Sequence, residues 1–209
     1  MGEAGGATRL VRIGLTGGIG AGKSAIATAF GELGCVVSDS DAGARAALRT
    51  TVVRDELVKW WGSEILGDDG MPDRGRIAKI VFHDAAQRAR LEGLIHPILH
   101  QEREALAAES SKAGAPALII DAPLLLEVGL DQKCDAIVFV EATREVRLER
   151  VMRTRGWDAS ELDRREAAQL SLAEKRRRSN YVIVNDGDRA RLVGEAQRVL
   201  AAVIGAAKN

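Results

Sequence analysis

Residues 17–24 read Gly-Gly-Ile-Gly-Ala-Gly-Lys-Ser and fit G-x-x-x-x-G-K-[ST], with Gly17, Gly22, Lys23 and Ser24 at the fixed places. The flanks supply the context such a loop needs. Val11, Ile13 and Leu15 alternate with Arg12 and Gly14, as in a strand entering a core. Residues 24–33 place Ile26, Ala27, Phe30 and Leu33 on one helical face, and Gly34 follows as a stop. A strand, a glycine turn and a helix in that order cradle phosphate. Glycines let successive N–H groups converge, the helix N-terminus adds partial positive charge, and Lys23 adds a full one. The expected phosphate contacts are Gly18, Gly20, Ala21, Gly22, Lys23, Ser24 and Ala25, with Ser24 also a ligand for Mg²⁺. A glycine-rich turn matching by chance is the alternative, and the flanking elements weigh against it.

Composition narrows the partners. Lys and Arg together number 30, matched by 30 Asp and Glu, a balance that argues against general affinity for nucleic acid or acidic membranes. Three Trp, three Phe and one Tyr are too few for a base-stacking surface. Cys35 and Cys134 lie far apart, with no metal or redox spacing, and read as reduced thiols of a cytosolic protein. No apolar run is long enough to span a membrane, and no signal peptide is visible. Residues 1–8 read as a small, Gly-rich, floppy tail. Gly6 stands where a myristoylation motif after Gly2 would need Ser or Thr.

The remaining chain alternates strands and helices. Residues 35–38 form a short strand leading to Asp39-Ser40-Asp41 and a helix from about 42 to 48. Carboxylates at the C-terminal end of a strand sit where α/β sheets bind ligands. Asp is also a favoured helix cap, so Asp41 has two readings, cap and catalytic carboxylate. Apolar stripes predict helices over 52–61, 74–82 and 85–110, and Pro97 predicts a kink or break near His96. His96 reads either as a structural hydrogen bonder or as a substrate contact. Residues 117–120 are a buried strand ending in Asp121, similar to a Walker B carboxylate that helps hold Mg²⁺, often through water. A strand over 136–140, a basic helix over 144–155, a strand over 181–184 and a closing helix over 190–204 complete the pattern. Residues 144–178 carry 11 Lys and Arg against 7 Asp and Glu. Arg147, Arg150 and Arg153 recur every third residue, giving either a solvated face or one that meets phosphates. The pattern is that of a three-layer α/β fold with a mainly parallel sheet.

Several stretches in this order resemble the dephospho-CoA kinase family. They are Leu15-Thr16-Gly17-Gly18-Ile19-Gly20-Ala21-Gly22-Lys23-Ser24, Asp39-Ser40-Asp41 with Arg45, His96-Pro97, Pro123-Leu124-Leu125-Leu126-Glu127, Gln169 with Lys175-Arg176, and Asn185 with Gly187. The sequence departs from the family pattern at Ser38, Ser40, Ala25 and Val184. The resemblance implies a P-loop fold like that of nucleoside-monophosphate kinases, with a five-stranded parallel sheet in a single domain. Its core would be 9–49, 116–143 and 180–209, with a helical substrate-binding insertion at about 50–115 and a lid at about 144–179. It implies ATP-dependent phosphorylation of the ribose 3′-hydroxyl of dephospho-CoA in the cytoplasm, without an obligatory protein partner. Asp41 would accept the hydroxyl proton, Lys23 would be catalytic, Arg150 would reach ATP and Asn185 would lie by the nucleotide. Asp41, Arg45, His96, Pro123 and Leu124 would contact the acceptor, and Ser24 and Asp121 would hold Mg²⁺. Two rivals remain from the residues: another small-molecule kinase of the same architecture, and a P-loop switch or regulatory ATPase.

Overall fold

The computed structural model describes residues 9–185 and 187–207; the expected tail over 1–8 lies outside them. Five parallel strands form one sheet in the order β2-β3-β1-β4-β5, with β1 Val11–Gly17, β2 Val36–Asp39, β3 Ala117–Asp121, β4 Ala136–Glu141 and β5 Tyr181–Val184. Parallel neighbours need crossovers, and helices supply them. In chain order these are α1 Lys23–Glu32, α2 Ser40–Leu48, α3 Thr51–Trp61, α4 Arg74–His83, α5 Ala85–Lys112, α6 Arg144–Arg155, α7 Ala159–Glu166, α8 Leu172–Arg177 and α9 Arg189–Ala207.

The chain divides into two compact units, one of Met1–Asp39 with Ala107–Asn209, the other Ser40–Leu106. In the first, Ile13 and Leu15 of β1 pack with Ile26 and Phe30 of α1 and with Ala196 and Val199 of α9. The opposite face of β1 is equally closed. A Cβ on Gly14 would lie 2.9 Å from side-chain atoms of Cys134, Leu125 and Ile137. With both faces covered, β1, β3 and β4 are buried along nearly their whole length rather than at alternate positions. The carboxyl ends of β1, β2 and β3 therefore present Gly17, Asp39 and Asp121 on one edge of the sheet, where such sheets bind ligands.

The second unit has its own core of Ala47, Val53, Leu57, Ile65, Ile77 and Ile95. Helix α2 lies close on α5 at Gly43, where a Cβ would meet Leu99 Cδ2 at 2.9 Å. The break expected near His96 does not occur; α5 runs through Pro97 for 28 residues. The carbonyl that Pro97 cannot satisfy and whose space its ring invades belongs to Gly93. Gly93 and Pro97 are both exposed, so water can reach that carbonyl, and Gly93 has no side chain to obstruct a small adjustment.

Candidate active site

Helix α1 begins unlike its neighbours. Side chains of Thr50, Asp73, Thr143, Asp158 and Ser171 cap α3, α4, α6, α7 and α8. Helix α1 opens on Gly22, with φ 88°, no capping side chain and no acid in its first turn. No capping side chain and no acid of its own first turn thus opposes its leading N–H groups and their partial positive charge. The glycines are sterically required. A Cβ at Gly17 would lie 2.6 Å from the Val140 carbonyl oxygen, and one at Gly22 would lie 2.2 Å from Asn185 Nδ2. Lys23, half-buried, is the first residue of α1, and Ser24 and Ala25 beside it are exposed.

The loop is gripped by its carbonyls. Asn185 Nδ2 donates to Ala21 O at 2.8 Å, and Arg150 Nη1 donates to the same oxygen at 3.1 Å and to Gly20 O at 3.5 Å. Arg150 Nη2 also donates to Asn185 Oδ1 at 3.2 Å, while the Asn185 backbone N–H bonds to Glu141 O at 2.7 Å. Arg147 Nη1 donates to Ile19 O at 3.4 Å. Thus Arg147 and Arg150, two of the three regularly spaced arginines, face the loop backbone. Arg153 is exposed and reaches Glu149 at 3.9 Å. Asn185, 2% exposed, has its side chain committed to the loop and to Arg150.

At the strand ends Asp39 and Asp121 are register partners across β2 and β3. Both line a cleft of about 500 Å³ together with Ser24 and Thr28. A hydroxyl and two neighbouring carboxylates are hard oxygen donors. Mg²⁺ takes one or two carboxylates and completes its shell with water and phosphate oxygens, so this donor set fits it. No group of three or more His, Cys, Asp or Glu among the described residues forms an all-protein metal cage. Asp39 was not among the expected metal residues; only its register with Asp121 brings it there.

Asp41, Arg45 and His96 belong to the helical unit. Helix α2 starts at Ser40, two residues earlier than expected, so Asp41 is its second residue and not its cap. Strand β2 runs straight into the helix, which leaves Asp39 at the boundary. Asp41 and Arg45 are exposed and one turn apart, hence on the same side of α2. His96 is exposed on α5. In the first unit, Leu124 is exposed in the turn after β3, whereas Leu125 and Leu126 are buried and Pro123 is half-buried.

Two ion pairs with a buried cation from the 144–179 segment are not legible in the sequence. Arg147, 4% exposed, pairs with Glu166 at the end of α7. One turn away Arg144 makes a bidentate pair with Asp163 at 2.6 and 2.9 Å. Arginines three apart on α6 meet acids three apart on α7, a matching visible in the sequence only if the two helices are known to face each other. The second pair is Lys175 with Glu127. Lys175 is fully buried; its ammonium lies 3.0 Å from Glu127 Oε1 and 2.8 Å from Gln169 Oε1. Burial pushes the Glu127 carboxyl up. The Lys175 hydrogen bond and backbone N–H groups, that of Leu170 among them, outweigh it and hold the group below its ordinary 4.5.

A family model described as dephospho-CoA kinase matches residues 11–191. A dephospho-CoA kinase of Anaeromyxobacter dehalogenans is 42% identical over 190 residues, covering 90% of each chain. A crystal structure of a Thermus thermophilus protein superposes with TM-score 0.80 at 33% identity, over 93% of this chain and 97% of that one. A dephospho-CoA kinase from Campylobacter jejuni, 20% identical over 92% of this chain and 96% of that one, shares the fold at TM-score 0.62.

Proposed function

The chain belongs to the dephospho-CoA kinase family, and from that premise we propose how its residues divide the work of moving the terminal phosphate of ATP to the ribose 3′-hydroxyl of dephospho-CoA. The products are CoA and ADP. The observation that carries the reading within this structure is the uncapped start of α1, with its loop carbonyls held by Asn185, Arg147 and Arg150. Phosphoryl transfer has a loose transition state, so the protein contributes positioning and charge neutralisation rather than covalent chemistry.

In this reading the loop N–H groups and Lys23 hold the β- and γ-phosphates, and Ser24, Asp121 and Asp39 hold Mg²⁺. The metal supplies neutralisation of charge between the phosphates. Asp41 orients the acceptor hydroxyl and takes its proton late, while Arg45, on the same side of α2, helps hold the substrate. His96 and the turn at Pro123 and Leu124 are further acceptor contacts. The helical unit grips the substrate, and the 144–179 segment closes as a lid so that water does not replace the ribose as acceptor. Loop contacts of Arg150 and Asn185 support the nucleotide end of the site. A cytoplasmic protein acting without nucleic acid or an obligatory protein partner belongs to the same reading. No helix among the described residues is long and apolar enough to cross a membrane.

The test is ADP release with dephospho-CoA, AMP, CMP or nucleosides as acceptor, with mass analysis of the product. One added phosphate on the dephospho-CoA ribose is the expected result. Phosphorylation of AMP or CMP in its place would reassign the acceptor, and ADP release without any acceptor would favour a regulatory ATPase.

A further inference from the structure

We propose that Arg147, fixed by Glu166, is a positioning residue for nucleotide binding: it sets the Ile19–Gly20 peptide of the loop and ties helix α7 to it. The inference rests on reading the loop as the ATP phosphate site, a reading that assigns no part to either residue.

The first argument is the geometry of the peptide unit. In a planar trans peptide the carbonyl and the following N–H point in opposite directions. Arg147 Nη1 holds Ile19 O at 3.4 Å, so the Gly20 N–H points away from α6. Asn185 and Arg150 hold Ala21 O, so the Gly22 N–H likewise points away from those side chains. The Gly20 and Gly22 N–H groups, on either side of an Ala21 N–H that donates to Gly18 O at 3.1 Å, are thus both turned away from the side chains that grip the loop, as donors to an anion would be. Arg147 therefore acts on the phosphate site through the back of the loop and does not need to touch the ligand.

The second argument is contact. A Cβ at Gly18 would lie 3.0 Å from Arg147 Nη1 and 3.1 Å from its Cδ. A Cβ at Gly20 would lie 2.7 Å from the Arg147 carbonyl oxygen. Side chain and backbone of this one residue thus press on both sides of Ile19, and the loop has no room to relax toward α6.

The third argument is cost. Arg147 is nearly fully buried, and its Nε meets no hydrogen-bond partner among the described residues. Among the described residues the guanidinium is compensated in direct contact by Glu166 and by the Ile19 carbonyl, with Asp163 and Glu145 adding attraction at longer range. An apolar side chain of similar volume would fill the space at lower cost. What the apolar residue would not provide is a donor for Ile19 O linked to the end of α7. Helix α7 is fastened to α6 by two parallel pairs, Arg144–Asp163 and Arg147–Glu166, and only the second also reaches the loop. A shift of α7 therefore removes the counter-charge that orients Arg147, and the loop responds. Nucleotide affinity and the placement of α7 are coupled through this residue, in both directions.

The experiment measures ADP affinity in the presence of Mg²⁺, melting temperature, and steady-state KM values for the full chain and three variants: Arg147→Met, Glu166→Leu and the two combined. Arg147→Met is expected to weaken ADP binding by about tenfold or more, the scale for losing a charged hydrogen bond, while KM for dephospho-CoA stays within about twofold. Glu166→Leu is expected to weaken ADP binding and lower the melting temperature. The double variant removes both charges of this pair, so its melting temperature should return to near wild type while ADP affinity stays low. Recovery of both quantities in the double variant would overturn the proposal and make the pair a packing feature. So would wild-type ADP affinity in Arg147→Met. ADP titration needs no acceptor substrate. If wild-type protein binds ADP in an Arg147-dependent way but does not phosphorylate dephospho-CoA, the functional reading falls and this one stands. If it does not bind ADP, both fall.

Discussion

Replacing Lys175 by Met removes the cation from a buried pair and leaves Glu127 behind. In the intact protein Lys175 Nζ is 3.0 Å from Glu127 Oε1 and Lys175 is fully buried. Glu127 keeps the Leu170 N–H at 3.1 Å, but its Oε2 is buried without a hydrogen-bond partner among the described residues. An uncompensated buried carboxylate costs about 3–5 kcal/mol, unless it takes up a proton. Protonating a carboxyl of ordinary pKa 4.5 at pH 7 costs about 3 kcal/mol, which caps the ionic part of the loss. At pH 5 the same step costs below about 1 kcal/mol. The deficit of Lys175→Met relative to wild type should therefore be large at pH 7 and small at pH 5. For a chain of this length about 3 kcal/mol lowers the melting temperature by roughly 6–12 °C.

The wild-type sign is opposite. Its Glu127 pKa is depressed on folding, so the stabilisation is present above about 4.5 and is lost as pH falls through the lowered value. Between pH 5 and pH 8 this group leaves wild-type stability flat. Thermal unfolding of both proteins across that range, followed by circular dichroism, is the assay. A drop of less than about 3 °C at pH 7 would refute the reasoning, and so would a deficit that is the same at pH 5 and pH 7.

Three further outcomes are expected. Lys23→Ala should lower turnover with dephospho-CoA by about 10² to 10³, the usual loss for one preorganised charge, and a change of only a few-fold would remove Lys23 from the chemistry. Asp41→Asn should cost about 10² to 10⁴ in turnover at saturating dephospho-CoA with ADP affinity unchanged, whereas Asp39→Asn should act mainly on the Mg²⁺ requirement; if Asp39→Asn loses more turnover at saturating Mg²⁺, the catalytic carboxylate is Asp39. Burial pushes the Cys35 thiol up to about 11, against a weaker opposing hydrogen bond with the Ala117 backbone, so at pH 8 an alkylating reagent should modify Cys134 and leave Cys35 until the protein unfolds; early labelling of Cys35 would contradict its burial.

Residues 17–24 carried most of what could be read without a structure, because strand, turn, lysine and helix start are contiguous and their geometry is local. The same holds for β3 ending at Asp121 and for the apolar faces of α1 and α9, where periodicity alone names the buried side. The family resemblance likewise came from short motifs in order. The start of α2 was misplaced by two residues, since Asp39, Ser40 and Asp41 are all acceptable near a helix start. Of the kink or break expected at Pro97, the break is absent because the lost hydrogen bond falls at the exposed Gly93.

The remaining features depended on the tertiary structure. Asp39 meets Asp121 through parallel strand register, the Ile19 carbonyl meets a guanidinium 128 residues away, and the Ala21 carbonyl meets an amide 164 residues away. Lys175 and Arg147 would be solvated charges in a helical pattern; packing buries them and supplies their acids. Sequence spacing determines which side chains share a face of one element. Which faces meet is decided by crossover order and core packing, and no run of neighbouring residues encodes that meeting.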